Sequence, residues 1–133
     1  MPSVVFVCPS NAARSPLAEA IANQLAPGLD VFSAGVRPTH VRPHVRTVLV
    51  EEGFRAEGLR AKSLYEVPLD EVTHVVSLSA DTALPPLPRR VAILRWNLPD
   101  PASAPPDEAL EAYRATRDEL MRRLPGLLRD LGV

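Results

Sequence analysis

The chain alternates between short runs of consecutive apolar residues and longer segments whose apolar residues recur every three or four positions. Residues 4–7 form a continuous run of β-branched and aromatic side chains, which is typical of a parallel strand buried on both faces. Residues 31–33, 72–78 and 91–96 predict three further strands. We therefore expect a sheet of four strands, with the first of them fully buried.

Helical spacing of apolar residues appears in three segments. The first helix has Pro16 in its first turn and stops at Pro27-Gly28, and the second covers residues 40–53. A long last helix is predicted with Asp107 as its N-cap and with Pro125 kinking or interrupting it. Its predicted buried stripe consists of Leu110, Tyr113, Leu120, Leu124, Leu127 and Leu128.

The order of these elements predicts the fold class. Residues 62–70 are predicted as loop and short helix, and the proline-rich residues 98–106 as a rigid, extended loop. Alternating strands and helices of this length indicate an α/β fold. We expect a flavodoxin-like, three-layer sandwich with a four-stranded parallel sheet and helices on both faces. Ligands of such folds bind at the carboxyl ends of the strands, where both Cys8 and Asp100 are expected.

Composition limits the functional classes. The 133 residues are 46% hydrophobic and 23% charged, which suits one globular domain over residues 1–133. No apolar run is long enough for a membrane span, and no basic region precedes the first apolar run. The net charge of -1 gives no general attraction to nucleic acid or to membranes. We expect a cytoplasmic protein, because a reactive thiolate is best kept in a reducing compartment. We also expect a monomer.

The only cysteine lies in the segment that joins the first strand to the first helix. A tight loop in this position aims backbone N–H groups and the positive end of the helix dipole at one point, which suits a tetrahedral oxyanion and stabilises a thiolate. Arg14 adds a planar fork of donors that can pair with two oxygens of one anion. The predicted site is the nucleophile Cys8 with a phosphate-binding loop of Pro9, Ser10, Asn11, Ala12, Ala13, Arg14 and Ser15.

Simpler interpretations of the same residues stay open. A lone cysteine is commonly just a small buried residue. Asn11 and Ser15 suit support of the thiolate, but they also suit plain helix capping. An aspartate before a proline often only forms a turn, and spacing alone does not choose Asp100 over Asp81 or Asp107 as an acid.

The loop resembles that of the low-molecular-weight protein-tyrosine phosphatases and of the arsenate reductases that share their fold, which reads Cys, five residues, Arg, Ser. Ser33-Ala34-Gly35 resembles the Ser-Ala-Gly that closes the family's second strand, and Asp100-Pro101 resembles its acid loop. Trp96 precedes that loop as in the reductase branch. The resemblance implies that Cys8 is the nucleophile, that Arg14 binds the oxyanion, and that Asp100 is the general acid.

This sequence departs from the family pattern at several positions. Ser10 replaces a glycine, and Ala13 replaces a cysteine common before the arginine. The segment 77–85 lacks the two cysteines that shuttle a disulfide in thioredoxin-coupled reductases. Ala102-Ser103-Ala104 stands where the tyrosine phosphatases place an aromatic wall for phosphotyrosine. The resemblance therefore does not by itself imply selectivity for phosphotyrosine.

Three functions remain after this comparison. The first is a cysteine-dependent phosphatase that hydrolyses phosphomonoesters, either phosphotyrosine in a protein or small aryl phosphates, through a phosphocysteine intermediate. The second is an arsenate reductase that uses an external thiol of the glutathione or mycothiol type. The third is a non-catalytic module that binds oxyanions. None of them requires a cofactor, and we expect none.

Metal binding is not expected. Glu19 and Ser33 match positions that hold potassium in some reductases, but Leu64 stands where that site would need an acid. His40 and His44 are four residues apart with Pro43 between them and no third ligand nearby, so we expect surface histidines.

Overall fold

The computed structural model describes residues 1–80 and 82–133, so Asp81 lies outside the described residues. Within these ranges the chain forms four strands, three α-helices and two 3-10 helices. The elements are β1 (Ser3–Cys8), α1 (Arg14–Leu25), β2 (Asp30–Gly35), α2 (Pro43–Glu51), a 3-10 helix (Leu64–Glu66), β3 (His74–Ser77), β4 (Ala92–Arg95), a second 3-10 helix (Pro101–Ser103) and α3 (Ala109–Asp130).

The strands form one parallel sheet in the order β2-β1-β3-β4. β1 pairs on both sides, and all six of its residues are buried, which explains its uninterrupted apolar run. Cys8, the last residue of β1, pairs with Gly35 at the end of β2. The carboxyl ends of the two strands therefore meet at one edge of the sheet.

Alternate residues of β1 belong to the two different faces of the sheet. Val4 and Phe6 pack with residues of all three α-helices, whereas Val5 and Val7 pack with Leu64 and with the loop that follows it. One layer thus consists of α1, α2 and α3, and the other is built around the first 3-10 helix. The predicted α/β, flavodoxin-like fold with a four-stranded parallel sheet is confirmed. All three α-helices cover one face of the sheet, and the 3-10 helix with the loop after it covers the other.

The predicted start of the second helix is wrong. α2 begins at Pro43, not at residue 40, and Arg42 before it is extended with φ -73° and ψ 144°. A residue that precedes proline avoids the helical region because the proline ring clashes with its backbone. The N–H of Arg42 donates instead to the carbonyl of Ala12, 2.9 Å away. Residues 40–42 therefore support the loop after β1.

The last helix also differs at its start. Glu108 is the N-cap residue of α3, and no side chain caps the helix, so the prediction of Asp107 as N-cap is wrong. Pro125 lies inside α3, which continues to Asp130. Burial of the leucines around the proline outweighs its cost of about 3 kcal/mol, and of the predicted stripe only Leu110 is partly exposed. Residues 98–106 are less extended than predicted, because they include the second 3-10 helix.

No helix in the described part of the chain is long and apolar enough to cross a membrane.

An ion-pair cluster ties α2 to α3. Glu51 accepts hydrogen bonds from Arg114 at 2.7 Å and from Arg117 at 2.8 Å. Arg117 is buried and also donates to the carbonyl of Val48 at 3.0 Å. The hydrogen bond from Arg114, followed by that from Arg117, lowers the pKa of Glu51 to about 2. The carboxylate is therefore the form that holds the two helices together.

Glu51→Gln should lower the free energy of unfolding at neutral pH but not in strong acid. The pKa of Glu51 is depressed in the folded state, so its contribution is complete above the unfolded value of 4.5 and is lost as the pH falls toward about 2. Urea unfolding midpoints at several pH values should show a gap between wild type and variant that closes over this range. Glu57→Gln, a change at an exposed carboxylate with no ion pair in the described residues, is the control. A gap that is constant with pH would contradict the prediction.

Candidate active site

The loop between β1 and α1 has an unusual backbone. Asn11 is fully buried and adopts a left-handed conformation with φ 49°, which asparagine tolerates better than most residues. Cys8 is buried at the end of β1, and its Sγ lies 2.9 Å from Oγ of Ser15 in the first turn of α1. The loop therefore folds back so that the start of the helix faces the thiol.

Carbonyl groups of this loop are turned away from its inner side. They accept hydrogen bonds from the segment that follows β2: Pro9 from Arg37 at 2.8 Å, Ser10 from Thr39 at 3.0 Å and Ala12 from Arg42 at 2.9 Å. The N–H groups of residues 10–15 have no acceptor within residues 1–80 and 82–133, and no side chain caps α1. A ring of free N–H groups at a helix start is suited to an oxyanion.

The side-chain amide of Asn11 organises the hydrogen bonds behind the loop. Its Nδ2 donates to Oγ of Ser15 at 2.7 Å and to Oγ of Ser33 at 3.0 Å, while Oδ1 accepts from the N–H of Lys62 at 2.9 Å. Because the Ser15 oxygen accepts from Asn11, the Ser15 hydroxyl hydrogen is free to donate to Cys8 Sγ. Such a donor stabilises a thiolate more than a thiol. The helix-capping interpretation of these residues is wrong, since no side chain caps α1.

Two charged side chains, Glu19 and Lys62, lie behind this hydrogen-bond network. Ser33 Oγ donates to Oε1 of Glu19 at 2.5 Å, and Nζ of Lys62 lies 3.6 Å from the same oxygen. Lys62 was not singled out from the sequence, although it is the only lysine in the chain. Its ammonium group brings a positive charge to Glu19 and Ser33. Among the described residues, no group of three or more His, Cys, Asp or Glu side chains is arranged to hold a metal ion.

Arg14 is buried, and only part of its guanidinium group has hydrogen-bond or ion-pair partners. Its Nη1 donates to the carbonyl of Leu98 at 2.9 Å, and its Nη2 lies 3.8 Å from Oδ2 of Asp100. Its Nε has no hydrogen-bond partner within the described residues. Leaving a buried charged donor unpaired costs at least about 1–3 kcal/mol, so the free edge of the guanidinium marks the place of a missing acceptor.

Asp100 lies beside Arg14 and is partly open to solvent. Its Oδ1 accepts a hydrogen bond from the N–H of Ala102 at 3.0 Å and so caps the second 3-10 helix. The side chain is 38% exposed, which leaves room for a substrate to approach the other oxygen. The structure thus brings Asp100 and Arg14 together, and the Arg14 bond to Leu98 holds the segment that leads to Asp100.

The two histidines differ in their surroundings. His40 is exposed, but His44 is half-buried and stacks on Tyr113 with 4.9 Å between ring centroids. His44 is therefore a partly exposed residue whose ring packs on α3. Burial of the Tyr113 side chain raises its pKa.

Comparison with known proteins places the chain among phosphatases and reductases. Residues 3–132 match the family described as low molecular weight phosphotyrosine protein phosphatase. A protein-arginine-phosphatase of Geobacillus stearothermophilus is 32% identical over 134 residues, covering 88% of this chain and 87% of that protein. A glutaredoxin arsenate reductase of Synechocystis sp. is 30% identical over 131 residues, covering 96% and 97%. The solved structure of an arsenate reductase in the phosphate binding state has a TM-score of 0.84 at 29% identity, covering 98% and 99%.

Gly35→Ala should displace the loop and weaken anion binding. A Cβ at this position would lie 2.7 Å from the backbone N of Asn11 and 2.9 Å from the carbonyl carbon of Ser10. Both are backbone atoms, so the loop must move, and we expect a loss of about 1–3 kcal/mol of stability. Thermal unfolding and calorimetric titration with phosphate measure the two effects.

Gly28→Ala is the matched control, because a Cβ there meets no atom within 4 Å. Equal phosphate affinity in both variants and wild type would show that the close contact at Gly35 does not shape the loop.

Proposed function

Because this chain belongs to the low molecular weight phosphotyrosine protein phosphatase family, we propose that it is a phosphatase that hydrolyses phosphomonoesters through a phosphocysteine intermediate. The observation that carries the proposal is the unpartnered Nε of Arg14 beside the free N–H groups around Cys8. These donors are arranged for the equatorial oxygens of a phosphoryl group. The thiol lies at the base of the same loop, where in-line attack on phosphorus is possible.

In the first step, the Cys8 thiolate attacks phosphorus, a sulfur–phosphorus bond forms, and the bond to the leaving oxygen breaks. Arg14 and the loop N–H groups hold the charge on the equatorial oxygens throughout the transfer. The protonated carboxyl group of Asp100 gives its proton to the leaving oxygen, so that an alcohol or phenol departs. Cofactors play no part in this step.

In the second step, water replaces the cysteine on phosphorus. The carboxylate of Asp100 takes a proton from the water as its oxygen attacks, the sulfur–phosphorus bond breaks, and inorganic phosphate forms. The Ser15 hydroxyl, 2.9 Å from Sγ, stabilises the thiolate as it leaves. The pair of steps consumes one water molecule and regenerates both Cys8 and Asp100.

Substrates of this proposed phosphatase include phosphorylated proteins and small aryl phosphates. The acid loop continues into Ala102-Ser103-Ala104, which leaves the site without an aromatic wall at that point. The protein would work as a monomer in the cytoplasm, where the thiol stays reduced.

Arsenate reduction is the second candidate. It is favoured by the likeness to arsenate reductases in sequence and in structure. Arsenate has the same tetrahedral oxyanion shape as phosphate, so the same loop would bind it. Cys8 is the only cysteine, and therefore external thiols would have to supply the electrons, being oxidised to a disulfide as As(V) becomes As(III). A module that only binds oxyanions is the third candidate.

Wild-type protein should hydrolyse p-nitrophenyl phosphate without added thiol, and Cys8→Ser should reduce the rate by several orders of magnitude while keeping the fold. A serine hydroxyl is far harder to ionise than a thiol, so it is a poor nucleophile at neutral pH. Parallel assays of arsenate reduction with glutathione or mycothiol discriminate between the candidates. Reduction of arsenate without phosphatase turnover would establish the reductase, and neither activity would leave the binding module.

Asp100→Asn should lower single-turnover formation of phosphocysteine roughly a hundredfold to ten-thousandfold for substrates with basic leaving groups. The loss should shrink for p-nitrophenol, because this leaving group needs little protonation. A series of aryl phosphates tests the dependence on leaving-group basicity. Asp107→Asn, at an exposed aspartate, is the matched control and should leave all rates unchanged. A loss that does not vary with the leaving group would place the acid elsewhere.

A further inference from the structure

A cavity that the proposed mechanism does not use adjoins the phosphate-binding loop. It has a volume of about 280 Å³ and is lined by Pro9, Val36, Arg37, Thr82 and Ala83. These residues come from the loops that follow β1, β2 and β3. In the strand order β2-β1-β3-β4, the connection from β1 runs to β2 and the connection from β3 runs the opposite way to β4, and the carboxyl edge of such a switch point is where open α/β sheets bind their ligands.

One residue that lines the cavity carries a buried hydroxyl without a partner in the described part of the chain. Thr82 is 6% exposed, and its Oγ1 has no hydrogen-bond partner in the described part of the chain. A buried hydroxyl that is left unpaired destabilises the fold by about 1–3 kcal/mol. A polar ligand group in the cavity that Thr82 lines would give this hydroxyl a partner.

Arg37 supplies the charge in this cavity. Its backbone N–H donates to the carbonyl of Pro9 at 2.8 Å, which fixes residue 37 against the residue that follows the nucleophile. Its guanidinium forms no ion pair with a carboxylate in residues 1–80 and 82–133. A guanidinium and a hydroxyl can each donate a hydrogen bond to an oxygen of a carboxylate, so together they can recognise that group.

The cavity continues into an apolar one. A neighbouring cavity of about 260 Å³ shares Val36 and Ala83 with it and is lined further by Leu64, Tyr65 and Leu84. Tyr65 is 90% exposed, so its ring is available to a ligand. A ligand that occupied both cavities would contact a cationic residue in one and apolar side chains in the other.

We infer that the cavity at Arg37 and Thr82 is a subsite for a carboxylate that the substrate carries near its phosphorylated group. The inference rests on the proposed phosphatase function, because that function places the phosphoryl group over Cys8. The subsite makes the enzyme selective for acidic phosphomonoesters, among them phosphorylated side chains followed by a carboxylate.

Binding measured in the Cys8→Ser background tests this subsite without turnover. Calorimetry compares N-acetyl-phosphotyrosine with its N-methylamide, which differ only in the carboxylate. We expect the carboxylate ligand to bind more tightly, and Arg37→Gln to weaken it about fivefold while the affinity of the amide stays unchanged. Thr82→Val, which keeps the shape but removes the hydroxyl, should weaken the same ligand selectively.

Arg129→Gln is the matched control, because Arg129 is exposed in the last turn of α3, at the opposite end of that helix from the acid loop. Equal affinity for the two ligands, binding of neither, or equal losses for both in Arg37→Gln would overturn the subsite. Hydrolysis of p-nitrophenyl phosphate by the wild type is measured separately. Its absence would count against the proposed function, while a selective loss for the carboxylate ligand would still support the subsite.

Discussion

The conformation of the phosphate-binding loop depends on one buried side-chain amide. Asn11 uses both of its amide hydrogens and its carbonyl oxygen, and the partners belong to α1, to β2 and to the segment at residue 62. These bonds hold a backbone with φ 49° that would otherwise be unfavourable. The close approach of Gly35 leaves no space for the loop to relax. The backbone donors of the loop that face the anion position are therefore set by contacts on the far side of the loop.

Both hydrolysis of a phosphomonoester and reduction of arsenate are compatible with such a site. Phosphate and arsenate present the same tetrahedral array of oxygens, so the binding loop cannot by itself choose between them. The choice lies in what attacks the covalent intermediate, either water placed by a carboxylate or a thiol brought from outside. A chain with a single cysteine has no internal thiol for the second route, which is why hydrolysis is the simpler proposal.

Local sequence predicts an element best where burial alone decides its place in the fold. β1 is buried on both faces, and its continuous apolar run predicts that position. The predicted start of α2 is wrong because Pro43 keeps Arg42 out of the helical region, and the N–H of Arg42 bonds to the distant Ala12 instead. The predicted N-cap of α3 is wrong because no side chain of the N-cap residue caps that helix. The contact between Lys62 and Glu19 joins residues far apart in sequence, and no local pattern in the sequence predicts it.

The hydrogen bond from Arg14 Nη1 to the carbonyl of Leu98 joins two parts of the site that are 84 residues apart in sequence. The same guanidinium that faces the anion position thus restrains the segment that leads to Asp100. If a bound anion changes the position of Arg14, the hydrogen bond to Leu98 passes that change to the segment before Asp100. Thermodynamic linkage then requires that ordering of this segment strengthens anion binding by the same factor. In the proposed mechanism, occupancy of the loop and the position of Asp100 as proton donor would then be coupled within a single molecule.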